Sequence, residues 1–380
     1  MALINKSGGI DGFVDFMQHR VALVKSARSA LLLSYIIGIF IFIESSITSL
    51  VAGAVGKPFC NKYEVPSAKL AFVCDSTAAP VSAFIILNGW GALLLGLITT
   101  QISLGDIQAD ATQLLIDSIL YNFYSIVALL VTFIAIWFNI DIGAMKNAKH
   151  TPSGGEIKNS SASMFYMLLP LIVMTLLAFV FLYITGNGDI LKGEGSGSIF
   201  YTMVATLIFM FFYFVLSKNM SITAWSITAF SGALKLVPIA FILLLAFAIG
   251  ESTTALKTGH YLASLVDDNL SVYFLAAVIF LLGALMSLAT GTSWGTFSIM
   301  IPVAIPMAAA MDANMALCIG AAISGGVFGD HSSPLSDTTI ISAIATDCEL
   351  MEHVKTQFPY ALISAIISFV LFIIFGIFFS

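Results

Sequence analysis

Three stretches of this chain, residues 118–140, 164–184 and 358–379, contain no charged side chain. About 20 consecutive apolar residues of α-helix are needed to cross the hydrocarbon core of a bilayer. Each stretch is long enough to do so, and residues 199–216 form a shorter fourth. Because a helix satisfies its own backbone hydrogen bonds in lipid, the sequence predicts an all-α polytopic membrane protein, with the lipid bilayer as its surroundings.

The overall composition excludes most other classes of protein. Hydrophobic residues make up 59% of the 380 residues and charged residues only 9%. A soluble domain carries about 25% charged residues, and so few charges cannot cover the surface of a soluble globule. With a net charge of −6 and no basic run, no nucleic-acid partner is expected. The usual hydrolase, metalloprotease and nucleotide-binding motifs are missing from the sequence, so we expect neither an enzyme nor a cofactor.

Two longer apolar regions are interrupted by helix-breaking residues. Residues 76–105 contain the sequence Asn-Gly-Trp-Gly, and residues 271–311 contain Thr-Gly-Thr-Ser-Trp-Gly-Thr followed by Pro302 and Pro306. Lipid cannot satisfy the backbone groups at such breaks, so they occur where the chain is packed in protein or lines a wet cavity. These interruptions predict broken helices and re-entrant hairpins, the elements that build transporter sites.

Two further predicted spans carry a carboxylate. Residues 31–55 contain Glu44 beside a polar run, and residues 236–254 contain Glu251 near one end. Because each interrupted region can supply more than one segment, we expect about ten membrane segments in all.

Charged side chains also follow a third apolar region rich in small residues, at 314–329. Asp330, His331 and Asp337 come next, and apolar sequence resumes at residues 340–345. A charge inside a membrane segment costs about 2.5–3.5 kcal/mol on insertion scales, so such residues are normally retained for function.

Polar segments divide the chain. The predicted order is a polar or amphipathic N-terminal segment at 1–27, a first membrane half at 28–142, a polar linker at 143–163 and a second membrane half at 164–380. Residues 105–118 and 257–269 have the pattern of amphipathic surface helices, and residues 186–197 that of a glycine-rich loop.

The two halves contain similar polar elements. Each has a broken apolar stretch, a hydroxyl cluster and an aspartate followed by hydroxyl residues, Asp75-Ser76-Thr77 in one and Asp337-Thr338-Thr339 in the other. A weak internal duplication of this kind is typical of transporters built from inverted repeats.

The chemistry of these residues suits a small hard cation, which prefers oxygen ligands. We predict a Na+ site at Asp75 and Asp337, and a proton-coupling role for Asp330, His331 and Glu44, because a partly dry carboxylate can exchange a proton for a cation. The full set of predicted ion-binding or substrate-binding residues is Asp75, Ser76, Thr77, Asn88, Thr292, Ser293, Ser332, Ser333, Asp337 and Thr338.

Structural roles are the alternative for each of these residues. A membrane hydroxyl often bonds to the carbonyl four residues before it, and Asp75 or Asp337 could cap a helix N-terminus. His331 could be a structural hydrogen-bonding residue, and Glu44 could pair structurally.

The run GVFGDHSSPLSDTTIISAIA, preceded by GTSWGTFSIMIPVAIPMA, closely resembles the signature of NhaC-type Na+/H+ antiporters. Upstream, GKPFCNKYEVPSAKLAFVCDSTAAPV and NGWGA resemble the first-half element of the same family. The resemblance implies an inner-membrane secondary antiporter with two inverted repeats, expected to be a homodimer. It places ion-site candidates on Asp75-Ser76-Thr77, Thr292-Ser293, Asp330-His331-Ser332 and Asp337-Thr338. Because family members are longer, the chain is expected to lack their most N-terminal helices.

The sequence therefore predicts a multi-pass secondary transporter that exchanges Na+ for H+ by alternating access across the cell membrane. The alternative is a Na+- or H+-coupled exchanger of small organic acids or amino acids, whose anionic group would lie at the N-termini of half-helices.

Overall fold

The computed structural model describes residues 2–20, 24–42, 44–104, 108–150, 162–188, 195–234 and 271–379, with isolated positions between 237 and 256. Within these ranges the chain is helical and contains no β-strand, which confirms the all-α prediction. Six of the described helices are long and apolar enough to cross a membrane, or seven if one bent pair counts as a span. The predicted span at 236–254 is described only at isolated positions, and Glu251 and residues 257–269 lie outside the described residues.

Contacts divide the chain into two compact units. The first comprises Met1–Val24 and Gly154–Leu243. Its described helices are α1 (Ala2–Lys6), α2 (Gly9–Arg20), α10 (Phe165–Thr185), α11 (Gly195–Leu216) and α12 (Ile222–Leu234). Helix α10 packs against α11 and α2, and α1 packs against α12.

The second unit comprises Lys25–Ser153 and Leu244–Ser380 and carries the polar residues singled out above. Its described α-helices are α3 (Ala27–Phe40), α4 (Ser45–Lys62), α5 (Ser67–Ser76), α6 (Ala79–Phe84), α7 (Gly89–Leu104), α8 (Ala111–Ile119), α9 (Phe123–Trp137), α13 (Leu275–Thr290), α14 (Ser293–Ala310), α15 (Met315–Ser332), α16 (Asp337–Thr346) and α17 (Leu350–Phe379). This unit takes helices from both predicted membrane halves. The predicted halves divide the chain by sequence order, whereas the two units divide it by contacts. The division into halves therefore stays a prediction, and so does the inverted repeat.

The span predicted over residues 31–55 is two helices, so that prediction was wrong. Helix α3 ends at Phe40 and α4 begins at Ser45, with Glu44 as its N-cap. The Glu44 carboxylate accepts hydrogen bonds from the backbone N–H groups of Ser46 (3.1 Å) and Ile47 (2.8 Å). A side-chain oxygen at this position satisfies N–H groups that have no partner within the helix, which favours a new helix start here.

The interruption predicted within residues 76–105 is confirmed. Helices α5 and α6 together bend by 41° relative to α7, as in a broken span or a re-entrant loop. The side chain of Asn88 fills the gap before α7, where it lies almost fully buried. Its amide therefore takes the place of the missing helical partners.

The interruption predicted near residue 291 is also confirmed. Gly291 ends α13 with a left-handed φ of 69°, and Thr292 caps α14 by accepting from the N–H of Gly295 (3.3 Å). Pro302 and Pro306, however, lie inside α14, which continues to Ala310. The breaks expected at these prolines were wrong, because packing on neighbouring helices maintains a helix that has lost single hydrogen bonds.

The span predicted over residues 118–140 is present in the segment Ala111–Trp137, which contains one short break. Helix α8 ends at Ile119 and α9 begins at Phe123, with Asn122 as its N-cap. Helix α8 covers much of the surface helix predicted over 105–118, and with α9 it forms one span-length segment, Ala111–Trp137. Residues 120–122, between the two helices, contain no glycine or proline, so no local signal in the sequence marked this break.

Helix α15 lies at the centre of this unit, and every residue from Ala316 to Ser332 is buried. Its glycines allow it to pack closely on α13, and the two helices leave no space for a side chain at these positions. A Cβ on Gly325 or Gly329 would collide with backbone atoms of α13, the carbonyl oxygen of Phe280 and the nitrogen of Leu288 respectively. This close approach fixes the C-terminal end of α15, where Asp330 and His331 lie.

Candidate functional site

A fully buried carboxylate, Asp75, lies in the last turn of α5. Its Oδ2 atom accepts three hydrogen bonds, from Gln357 Nε2 (2.7 Å), Thr339 Oγ1 (3.0 Å) and His353 Nε2 (3.3 Å). Its Oδ1 atom is buried and has no hydrogen-bond partner among the described residues. Helices α16 and α17 therefore hold one carboxylate oxygen and leave the other available.

His331 is the second centre of this network and is also buried. Its Nε2 lies 3.2 Å from the hydroxyl of Ser76, and its Nδ1 lies 2.7 Å from the hydroxyl of Tyr124. The carbonyl oxygen of His331 accepts a short hydrogen bond from Gln357 Nε2. The Gln357 amide thus joins Asp75 on α5 to the end of α15.

Asp330 is a second buried carboxylate, with a pattern similar to that of Asp75. Its Oδ2 accepts from Ser293 Oγ at 2.8 Å, and its Oδ1 is buried without a partner in the described part of the chain. Ser293 is the first residue of α14, directly after the break capped by Thr292. The interruption between α13 and α14 therefore positions the donor to Asp330.

The loop between α15 and α16 contains the remaining predicted residues of the second half. Ser332 and Ser333 are buried, and Ser333 Oγ accepts from the N–H of Leu335 at 3.2 Å. Thr338 is buried and lies 3.0 Å from the hydroxyl of Ser336, the N-cap of α16. Asp337, the first residue of α16, is exposed. The structure therefore buries Asp75 and exposes Asp337, although both were predicted as Na+ ligands.

Three predicted residues make local structural contacts instead. Thr77 Oγ1 donates to the carbonyls of Val73 (3.0 Å) and Cys74 (3.2 Å), and both carboxylate oxygens of Glu44 accept backbone N–H groups as described above. The Asn88 NH2 group donates to the backbone carbonyls of Phe42, Ser82 and Ile85. Its side-chain oxygen accepts from the backbone N–H groups of Trp90 and Gly91. These contacts match the capping and back-bonding alternatives.

Four side chains of the network were not among the predicted site residues: Tyr124, Thr339, His353 and Gln357. His353 and Gln357 are four residues apart and so share a face of α17. The last span was predicted to begin at residue 358, so both residues were left outside it. Tyr124 lies in an uncharged stretch, where an aromatic residue gives no sign of a polar role.

The chemistry of the site is that of oxygen ligands and exchangeable protons. Among the described residues, no group of three or more His, Cys, Asp or Glu side chains converges, so this part of the chain offers no transition-metal cluster. Among the described residues of this unit, Lys69 is the buried lysine, and it is paired with Asp141 at 2.7 Å and Asn139 at 2.8 Å. Within the described part, a positive charge at Asp75 therefore comes from His353 or His331, each of which is charged only when protonated, or from a bound cation.

Interrupted helices, buried carboxylates and, among the described residues, buried carboxylate oxygens without a hydrogen-bond partner are typical of a secondary transporter. Comparison with known proteins assigns its family: residues 89–377 match the Na+/H+ antiporter family, and the chain belongs to it. This confirms the resemblance to NhaC-type antiporters. The protein is therefore a multi-pass membrane transporter of the antiporter type, and not an enzyme.

The chain is also similar to two curated relatives and to one solved structure. An uncharacterized protein of Haemophilus influenzae is 32% identical over 417 residues, covering 100% of this chain and 76% of that protein. The malate-2H+/Na+-lactate antiporter of Bacillus subtilis is 33% identical over 106 residues, 28% of this chain and 22% of that protein. The crystal structure of the YdaH transporter of Alcanivorax borkumensis is similar with a TM-score of 0.56, covering 99% of this chain and 83% of that one. Its identity is 17%, so it shows the fold alone.

Proposed function

We propose that this protein exchanges Na+ for H+ by alternating access, and that Asp75 is the residue at which the two ions compete. The observation that carries the proposal is the state of its carboxylate. Three donors from α16 and α17 hold Oδ2, and the buried Oδ1 has no partner among the described residues.

A buried carboxylate is costly unless its charge is balanced or neutralised. A proton on Oδ1 neutralises it, and a sodium ion at Oδ1 balances it, but one oxygen position cannot hold both. Binding of one ion therefore releases the other, which is the exchange that an antiporter performs. The fixed contacts to Oδ2 keep the carboxylate in place in both states.

Asp330 supports a second position for the coupled proton. It repeats the arrangement of one bonded and one unpartnered oxygen, and His331 follows it in the chain. The predicted roles of Asp330 and His331 in proton coupling, and of Asp337 in Na+ binding, stay predictions. The inner-membrane location, the homodimer and the lack of a cofactor likewise stay predictions.

The test is transport by purified protein in proteoliposomes with a pH-sensitive dye inside. A sodium step outside, with the membrane potential clamped at zero, is expected to change the internal pH. The Asp75→Asn variant is expected to abolish this change, whereas Asp117→Asn, an exposed carboxylate on α8, is the matched control and should transport normally. A sodium-dependent signal that survives in Asp75→Asn would refute the assignment.

A second function is favoured by the likeness to the malate-2H+/Na+-lactate antiporter of Bacillus subtilis. In that case this chain exchanges a small organic acid with coupled ions. The same liposomes distinguish the two functions: the internal pH then stays constant after a sodium step and changes only when lactate, malate or an amino acid is added.

A further inference from the structure

Among the described residues, the side-chain amide of Gln357 makes hydrogen bonds through its nitrogen but not through its oxygen. It lies on α17 and is almost fully buried. Its Nε2 donates both to Asp75 Oδ2 at 2.7 Å and to the carbonyl oxygen of His331. Its Oε1 is buried and has no hydrogen-bond partner among the described residues.

Chemistry fixes which end of this amide faces Asp75. Both Asp75 Oδ2 and the His331 carbonyl are acceptors, so only the NH2 group can satisfy them. The opposite orientation would place an amide oxygen against two other oxygens. Oε1 must therefore point elsewhere, and a buried amide oxygen without a donor normally has an explanation such as a bound ion.

We propose that Gln357 binds the transported Na+ through Oε1, together with Oδ1 of Asp75. The inference rests on the proposed function and deepens it, because it names a ligand that the sequence analysis did not. Both free oxygens belong to groups joined by one 2.7 Å hydrogen bond, and hard cations bind carboxylate and amide oxygens together. Gln357 thus holds Asp75 with its nitrogen and binds the ion with its oxygen.

This arrangement gives Gln357 a role in distinguishing Na+ from H+. A proton needs a single oxygen, which Asp75 supplies, whereas a sodium ion needs several oxygens around it. Removing the Gln357 oxygen should therefore weaken sodium binding while the exchange of a proton at Asp75 persists. A residue with a merely structural role would not separate the two ions in this way.

The experiment compares wild type with Gln357→Leu, and uses Gln101→Leu as a matched control. Gln101 lies on α7, is also buried and also has an Oε1 atom without a partner in the described chain, but it is not among the residues that donate hydrogen bonds to Asp75. For each protein, the sodium concentration giving half-maximal thermal stabilisation and half-maximal proton flux is measured, with potassium as the ionic-strength control.

Gln357→Leu is expected to raise both half-maximal sodium concentrations by about a hundredfold or more, because it removes an ion ligand as well as the donor that positions Asp75, whereas losing a positioning group alone costs about ten- to a hundredfold. Its maximal proton flux at saturating sodium should be less affected, and Gln101→Leu should match wild type. Wild-type half-maximal values in folded Gln357→Leu would overturn the inference while leaving the proposed function intact. If wild type itself shows no sodium-specific stabilisation or flux, the proposed function fails first.

A second measurement applies if Gln357→Leu does not fold. Wild-type protein labelled with 13C-glutamine is examined by infrared difference spectroscopy on addition of sodium or potassium. A sodium-specific shift of a side-chain carbonyl band, retained in Gln101→Leu, is the expected result. Identical spectra in sodium and potassium, in protein that sodium stabilises, would overturn the inference.

Discussion

Two substitutions of Asp75 that both remove its charge should differ greatly in stability. In Asp75→Asn, the amide oxygen can replace Oδ2 and accept from Thr339, His353 and Gln357. In Asp75→Ala no acceptor remains at this position. Because the charge is lost in both variants, the difference between them isolates the hydrogen bonds and the space that the side chain fills.

The structure sets the size of this difference. Gln357 keeps its second bond, to the His331 carbonyl, so Asp75→Ala leaves two buried donors without an acceptor, the Thr339 hydroxyl and the His353 N–H. Each such donor costs about 1–3 kcal/mol, so Asp75→Ala should be less stable than Asp75→Asn by about 2–6 kcal/mol. This is a large fraction of the 5–15 kcal/mol that is roughly the whole stability of a typical protein.

The assay is thermal unfolding of both variants in the same detergent, at one pH and without sodium, followed by tryptophan fluorescence. Wild type with saturating sodium and wild type without sodium are the references. Asp75→Asn is expected to unfold near sodium-free wild type, and Asp75→Ala at a clearly lower temperature. Equal unfolding temperatures for the two variants would show that Thr339 and His353 do not depend on this acceptor.

Three further predictions concern the helix interruptions. Asn88→Leu removes the amide that satisfies three carbonyls at the breaks, so it should lower stability by at least about 1–3 kcal/mol without raising the half-maximal sodium concentration; a changed sodium dependence in liposomes would contradict this. Glu44→Gln retains a capping oxygen, so it should cost no more than about 0.5–2 kcal/mol and leave the pH profile of transport unchanged, whereas a shifted profile would favour a proton-coupling role. Gly291→Ala forces an alanine into left-handed backbone facing Leu335, so it should cost at least about 1–2 kcal/mol in thermal unfolding, and wild-type stability would contradict this.

The sequence predicted the breaks that have a local chemical cause. Asn88 with the glycines after it, and Gly291 with Thr292, disrupt helices through their own side chains or backbone freedom, and both breaks are present. The breaks at Glu44 and Asn122 were missed because a carboxylate or an amide in an apolar run can equally face a cavity. Only the neighbouring backbone shows that each is used as a cap.

The site was predictable in part, for a different reason. Asp75, Asp330 and His331 are conspicuous because charge in apolar sequence is costly, and the structure buries all three. Asp337, like Asp75, is an aspartate followed by two hydroxyl residues, but it is exposed. Gln357 and Tyr124 depend on which distant helix each side chain meets, across more than 200 residues between Tyr124 and His331, and no local pattern contains that information.

The burial of helix α15 affects where substitutions can change ion specificity in such a protein. It is 18 residues long, yet it is not one of the six helices apolar enough to cross a membrane by composition. Protein surrounds it along almost its whole length, so lipid places no demand on its side chains. Substitutions on α17 must satisfy lipid on its exposed face, whereas those on α15 must satisfy only neighbouring helices, with little space. Evolution of ion specificity is therefore expected to proceed by exchanging small polar residues along this buried helix.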